Sequence, residues 1–316
     1  MKRLILLTFA AFLLSLMAGK VWIAPTDWLG DNANGWIMAD LRLPRAILGL
    51  SIGAVLGLSG AVLQGYLRNP LADPTVVGVS ASAALGGVTA IFFGLSAFPL
   101  GLFACAMFGA GASVLLLVAL GGKTGGPLGF ILAGMVLSTL AGSLTALLIS
   151  LSPNPYATSE IVTWLMGALT DRSWQDVMLG VPCMVAGAAL LLLTGRSLDA
   201  LTLGEDAARS LGVDPKRLQW LIVVGIGLAV GASVAVTGVV GFVGLIVPHF
   251  MRMLVGSKPS ATLLPSALGG AVLVMVADSV VRLIPGPGEV RLGIAMAALG
   301  APFFFVLLAR MRERAV

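Results

Sequence analysis

Charge is what this chain has least of. Asp, Glu, Lys and Arg make up 10% of its 316 residues, where a soluble domain carries about 25%. A chain so poor in charge cannot coat its own surface against water. Histidine occurs once, as His249, and cysteine twice, as Cys105 and Cys183. Both thiols lie in apolar stretches, so no disulfide framework is implied, and one imidazole with two thiols argues against a structural metal site. No acid pair, Ser/His dyad or metal-ligand cluster is present to support an intramembrane enzyme. Nucleotide motifs are missing too. Gly122-Lys123-Thr124 ends like a P-loop, but position 117 is Leu117, and Gly225-x-Gly227 lacks its third glycine because position 230 is Val230. No cofactor is expected on this chain, and if its work is driven by ATP, the ATP and Mg are held by another polypeptide.

Hydrophobic residues are abundant, 58% of the chain, with a mean hydropathy of +1.04. A membrane-crossing helix needs roughly 20 apolar residues. That length divides the sequence into spans at about 4–23, 44–65, 75–94, 98–120, 128–151, 174–194, 218–237, 239–256, 262–283 and 292–309. The third and eighth are short or interrupted, and 152–173 is left as a connection. The fold class is an all-α polytopic membrane protein, a single domain over 1–316. With a cytoplasmic N-terminus, thirteen of the nineteen Lys and Arg residues fall on the cytoplasmic side and six on the other, the bias of the positive-inside rule. Both termini are therefore expected in the cytoplasm. The same bias accounts for the net charge of +5 without nucleic-acid binding. Lys2-Arg3 and the apolar run behind them resemble a secretory signal, but Ala18-Gly19-Lys20 is a poor cleavage site, and the run reads as the first span.

Residues 53–62 read GAVLGLSGAV and residues 231–240 read GASVAVTGVV. Gly53, Ala54, Gly60 and Val62 coincide with Gly231, Ala232, Gly238 and Val240, on spans two and seven. Five crossings separate them, so the match implies an inverted repeat relating spans 2–5 to spans 7–10. Gly49, Gly53 and Gly57, like Gly227 and Gly231, recur every fourth residue, which lets helix backbones approach closely.

The longest cytoplasmic loop, 195–217, contains LTLGEDAARSLG at 201–212. Leu203, Ala207 and Leu211 share a helical face, Gly212 supplies a stop and Pro215 opens the next helix. Balanced charge and small residues suit docking into a protein groove rather than lipid anchoring. On the opposite side, Arg42, Arg45 and Arg282 stand where basic residues are disfavoured. Two explanations remain open, snorkelling to lipid phosphates and docking of an acidic partner. Asp278, four residues before Arg282, is the one acid well inside a span. It reads as an intrahelical ion pair, or as the proton relay of an ion-coupled secondary transporter. His249, behind Pro248, reads as structural.

RNPLADP (68–74), GVVGFVGLIVPHFMR (238–252), LRLPR (41–45), SGAVLQ (59–64), GVSASAALG (78–86), LGEDAARSLGV (203–213), LLPSALGGA (263–271) and LGIAMAALGAPFF (292–304) together resemble the FecCD-type permeases in order and spacing. These are the membrane subunits of ABC importers for iron-siderophores, haem and vitamin B12. The resemblance implies a bacterial inner-membrane permease without enzymatic activity. It implies a working unit of two copies of the chain, two ATPase subunits and one periplasmic binding protein. It further implies that 199–213 holds the coupling helix, with Leu201, Leu203, Gly204, Glu205, Ala207, Ala208, Leu211 and Gly212 facing the ATPase. Arg42, Arg45 and Arg282 take the positions that meet acidic residues of the binding protein. The loop after span four, with Gly125, Gly126 and Pro127, takes the position of a cytoplasmic gate, although GGKTGGP (121–127) has less Ser and Thr than the family pattern.

Overall fold

Apolar helices dominate the structure, a computed structural model that describes residues 1–28, 32–124, 127–285 and 288–313. Helix α1 (Lys2–Met17) comes first. Helix α2 (Ala33–Trp36) then runs through a π-helical stretch (Ile37–Arg42) into α3 (Leu43–Tyr66). Next come α4 (Val79–Phe92), α5 (Pro99–Thr124), α6 (Pro127–Ser150), α7 (Pro155–Leu165) and α8 (Trp174–Leu192). Two short helices follow, α9 (Gly195–Leu201) and α10 (Glu205–Ser210). The chain closes with α11 (Pro215–Thr237), α12 (Val243–Val255), α13 (Pro259–Leu283) and α14 (Leu292–Glu313). Each of the ten expected spans coincides with one of these helices, and no strand occurs among the described residues. Gly125 and Gly126 lie outside the described residues, and Pro127 opens α6.

Three features depart from expectation, each for a physical reason. Span two begins earlier, at Ala33, as part of one 34-residue helix. Pro44 has no N–H to offer the carbonyl one turn back, and the backbone ahead of it widens into the π stretch. Helix α7 occupies the stretch left as a connection. Asn154 caps it, its Oδ1 accepting from Ala157 N–H at 2.9 Å, and Pro155 sits in the first turn. Spans three and eight shrink to the 14 residues of α4 and the 13 of α12. At 1.5 Å per residue these are about 20 Å long, too short for a hydrocarbon layer of about 30 Å.

The two short helices stand at equivalent positions of the repeat, α4 behind a single 3-10 turn (Pro74–Val77) and α12 behind the non-helical backbone of 238–242. Such backbone survives at membrane depth only where protein surrounds it. Ahead of α12, Gly238 (φ +74°) and Phe242 (φ +66°) adopt left-handed conformations. The Thr237 carbonyl accepts from Ala168 N–H at 2.8 Å, and a Cβ on Gly300 of α14 would strike the Phe242 ring. Phe242 is an uncommon residue for that backbone region, and its packing on α14 holds it there.

Glycine sets how the central helices cross, and the crossings obey the repeat. Helix α3 packs most closely on α13, where a Cβ at Gly53 or Gly57 would run into the backbone of Gly270 or Ser266. Helix α11 packs on α5, where a Cβ at Gly231 would stand 2.7 Å from Ala110 Cβ and one at Gly227 would overlap Val114. Span two with span nine and span seven with span four are equivalent pairs under the inverted repeat. With no hydrophobic force to separate protein from lipid, this close packing holds the bundle together.

Replacing Gly57 by alanine should therefore cost about 1–3 kcal/mol of stability through overpacking. Gly111→Ala, where a Cβ meets nothing within 4 Å, should change stability by no more than a few tenths of that. Thermal unfolding of the two variants in detergent separates them, and equal midpoints would contradict the packing role.

Candidate functional site

Two polar assemblies interrupt the apolar bundle, one at each end. At the end opposite the 195–217 loop, Arg42, Arg45 and Arg282 are brought together, but they point inward. Arg42 and Arg282 are 8% and 4% exposed, and Asp278 is 1% exposed. Neither snorkelling to lipid nor an open docking surface describes them, because their donors are taken by acceptors inside the chain.

Four of those acceptors are the unpaired carbonyls at the C-terminal end of α1. Arg42 Nη1 donates to Leu16 O at 2.9 Å and Met17 O at 2.7 Å, and its Nη2 donates to Val21 O. Arg282 Nη1 donates to Ser15 O at 2.9 Å and Ala18 O at 3.0 Å, and its Nη2 donates to Ser15 Oγ at 2.8 Å. A helix leaves its last four carbonyls without intrahelical partners, and its C-terminus favours cations. The arginines that look misplaced at the N-terminus of α3 thus complement the C-terminus of α1. Gly19 makes room, since a Cβ there would stand 2.7 Å from Arg42 Nη2.

Asp278 holds the assembly together. Arg45 grips it with two nitrogens, Nε to Oδ2 at 3.0 Å and Nη2 to Oδ1 at 2.8 Å, while Arg282 Nη2 reaches Oδ2 at 2.8 Å. The intrahelical pair expected from spacing is therefore present, and Arg45 joins it from α3. Arg45 Nη2 also donates to Glu289 Oε2 at 2.8 Å, and that oxygen accepts from Thr170 Oγ1 at 3.0 Å. Glu289 lies just ahead of α14, so this bond ties α3 and the α7–α8 connection to the start of α14. Burial would raise the Glu289 pKa, but the hydrogen bond and charge of Arg45 outweigh it and hold the carboxyl below its usual range. His249 faces Phe303 of α14, ring centroids 5.7 Å apart, a packing role.

At the other end, the expected amphipathic helix over 201–212 breaks in two. Gly204 takes φ +105°, so α9 stops at Leu201 and α10 starts at Glu205. Leu203 and Gly204 lie in the turn between them. Gly212 (φ +85°) ends α10 as expected, with Val213 N–H on Ala208 O at 3.0 Å and Gly212 N–H on Arg209 O at 2.9 Å, a Schellman stop. Asp214 and Pro215 open α11, Asp214 Oδ1 accepting from Lys216 N–H at 2.9 Å.

Packing sorts the candidate coupling residues. Leu201 and Ala208 are buried in the main core, while Leu203 and Leu211 are 67% and 64% exposed. Ala207 is half-buried beside Ala208, and a Cβ at Gly204 or Gly212 would meet nothing within 4 Å. The segment is anchored from beneath. Asp199 caps α13, its Oδ1 accepting from Ser260 N–H at 2.9 Å and its Oδ2 from Ser260 Oγ at 2.6 Å. Burial opposes ionisation of Asp199, but these bonds and Lys258 at 3.4 Å keep its pKa below the usual value. Arg68 reaches Glu205 of α10 at 3.8 Å. Sequence reasoning found the segment but missed Asp199 and Ser260. A run such as Lys258-Pro259-Ser260 at a helix start could have flagged the need for a carboxylate.

Breaking the Asp278 assembly on one side leaves buried guanidinium charge unmatched, which costs about 3–5 kcal/mol. Asp278→Asn should lower stability by that order, read by denaturant unfolding, and a variant as stable as the parent would refute the network. Glu289 gives a pH signature. Its folded pKa is depressed, so its contribution is present at neutral pH and is lost as pH falls through the folded value, below the usual ~4.3. The stability gap between the parent and Glu289→Gln should narrow on acidification below the usual carboxylate value of ~4.3. A gap that persists would show that the carboxylate charge is not what holds the loop.

Comparison with known proteins agrees with this architecture. Residues 6–310 match the FecCD transport family. The chain is 36% identical over 305 residues to the Fe(3+) dicitrate transport system permease protein FecD of Escherichia coli, covering 95% of each. It is 38% identical over 315 residues to the vitamin B12 import system permease protein BtuC of Vibrio cholerae, covering 98% of this chain and 93% of that one. It is also 38% identical over 296 residues to the molybdate import system permease protein MolB of Haemophilus influenzae, covering 93% and 87%. A solved structure of a metal-chelate type ABC transporter in an inward-facing conformation superposes with a TM-score of 0.89 at 34% identity, over 97% of both chains. The chain belongs to the FecCD transport family of membrane permeases.

Proposed function

We propose that this chain is the permease subunit of a binding-protein-dependent ABC importer, paired as a homodimer around the translocation pathway. Two separate ATPase subunits, which hold ATP and Mg, drive it, and a periplasmic binding protein delivers the cargo. The observation that carries this reading is the 199–213 segment. Two large apolar side chains, Leu203 and Leu211, stand exposed beside α10. Ala208 and Asp199 bind the same segment firmly to the bundle. Apolar residues on a rigid rim suit a protein groove. The exposed apolar faces of α6 and α14, including Met135, Val136, Leu299 and Phe305, support a second copy packing there.

The cargo is a bulky metal chelate, a ferric siderophore, haem or cobalamin, by analogy with the iron-citrate and vitamin B12 relatives. The molybdate relative shows that the family scaffold also serves a small oxyanion, so a cargo assay has to include it. The chain sits in the bacterial inner membrane with both termini in the cytoplasm. That places the arginine assembly on the periplasmic face. Of its arginines only Arg45 is joined to the rim, through Glu289, which is 22% exposed. A binding-protein carboxylate would meet the assembly there rather than at Arg42 or Arg282. Gly125, Gly126 and Pro127 keep the position of a gate.

Geometry does not favour the secondary-transporter reading. Asp278 accepts from two guanidinium groups, and protonating it would leave both buried cations with one fewer counter-charge.

Leu203→Glu with Leu211→Glu should weaken ATPase association at least about tenfold, roughly 1.4 kcal/mol, with the fold intact because both positions are exposed. Co-purification of the ATPase and its transport-coupled hydrolysis report the loss. Transport by the purified chain alone in proteoliposomes, driven by a proton gradient, would overturn the importer reading.

A further inference from the structure

The two Pro-rich motifs that stand out in the sequence, RNPLADP and GLIVPHFMR, meet in one place that the transport reading leaves unused. Gln64 Nε2 donates to Gly244 O at 3.0 Å and Ala72 O at 3.2 Å, while Gln64 Oε1 accepts from Arg252 Nη2 at 2.5 Å. The amide therefore fixes Arg252 of α12 against the end of α3. Beside it opens a cleft of about 300 Å³, lined by Gln64, Arg68, Asn69, Thr202, Arg252 and Thr262 among others. It lies at the same end of the bundle as α10.

The charge in this cleft is unbalanced. A guanidinium carries five N–H donors, and Gln64 takes one of those on Arg252. No ion pair among the described residues involves Arg252. Arg68 has only the half-exposed Glu205, at 3.8 Å. Asn69 uses its oxygen on Leu71 N–H at 2.9 Å, which leaves its amide N–H groups as donors. Arg68 also holds a left-handed backbone (φ +49°) one residue past the C-cap of α3, a position where glycine is the cheaper choice. A partly desolvated cation without a counter-ion is costly, and two arginine forks with an amide suit a tetrahedral oxyanion.

The surface beside the cleft identifies the source of that anion. Around Arg252 on α12, Phe250, Met253 and Leu254 are 46%, 72% and 73% exposed, an apolar strip suited to acyl chains. Basic pockets between membrane helices recognise anionic lipid headgroups in this way. We propose that the Arg68–Arg252 cleft is a binding site for the phosphate of an anionic phospholipid, in the leaflet on the coupling-segment side.

The test uses the full-length chain in nanodiscs and native mass spectrometry, with dioleoyl phosphatidylglycerol, dioleoyl phosphatidylcholine and inorganic phosphate as probes. The parent should prefer phosphatidylglycerol by about tenfold. Arg252→Gln should abolish the preference, and Arg68→Gln should reduce it. Ser257→Trp, placed at an exposed position lining the cleft, should block lipid without touching either arginine. If Arg252→Gln does not fold, the two exposed-site variants carry the test. Displacement of the lipid by millimolar inorganic phosphate would show that the cleft reads the oxyanion itself, which supports the site. Two results would overturn the proposal. One is no preference in the parent, or a preference unchanged in all three variants. The other is loss of ATPase association in Arg252→Gln with lipid preference retained, which would make the missing anion a carboxylate of that partner.

Discussion

Backbone polar groups in this bundle have to find their partners inside the chain, because the hydrocarbon around it offers none. Helices meet that demand for most of the backbone, and the informative places are those where helices stop. At the end of α1, the carbonyls of Ser15, Leu16, Met17 and Ala18 would be orphans, and two arginines, one just ahead of α3 and one from α13, arrive to take them. Arg282, with Arg45 beside it, in turn needs a counter-charge, and Asp278 supplies it. The first helix, the central helix and the longest helix of the second half are thus joined by one chain of obligations. Hydrophobic matching alone could not specify that arrangement, because lipid tails are as apolar as the helix faces.

The inverted repeat adds a second constraint. Equivalent helices cross at equivalent glycines, Gly53 against Gly270 and Gly231 against Ala110, so a change of packing in one half has a counterpart in the other. The two short helices, α4 and α12, break that regularity together. The stretches before them, a 3-10 turn ahead of α4 and non-helical backbone ahead of α12, depart from the α-helix, where a rigid helix would leave no freedom for movement.

Much of this was legible in the sequence. Ten apolar runs, the repeat at Gly53 and Gly231, the Gly212 stop and the Pro215 start all follow from local rules and agree with the structure. What escaped was governed by partners distant in sequence. LRLPR shows two arginines on a disfavoured side, but not that Leu16 O, 26 residues upstream of Arg42, is waiting for one of them. The carboxylate that caps Ser260 comes from position 199, 61 residues and three helices away. Helix α7 was missed for a different reason. Its Asn154-Pro155 signal is local, but the segment is too short and polar for a reading tuned to membrane spans.

Helix α13 connects the two polar ends. Its first turn is held by Asp199 of α9 and its last turns carry Asp278 and Arg282. At 25 residues it is about 37 Å long. Between those ends it lies against α3 so closely that no Cβ fits at Gly53 or Gly57. A displacement imposed on α9 and α10 therefore has two outlets. Either α13 slides along α3, which requires the glycine crossing to come apart, or α3 and α13 move as one body and carry Arg45 with them. Tight backbone packing disfavours the first, because a crossing this close is bistable rather than continuously deformable. In the second, the strain falls on the bonds that leave that body, Arg45 to Glu289 and Arg42 and Arg282 to the end of α1. Glu289 is 22% exposed, so motion that starts at α9 and α10 has its weakest restraint at the opposite face, beside the start of α14.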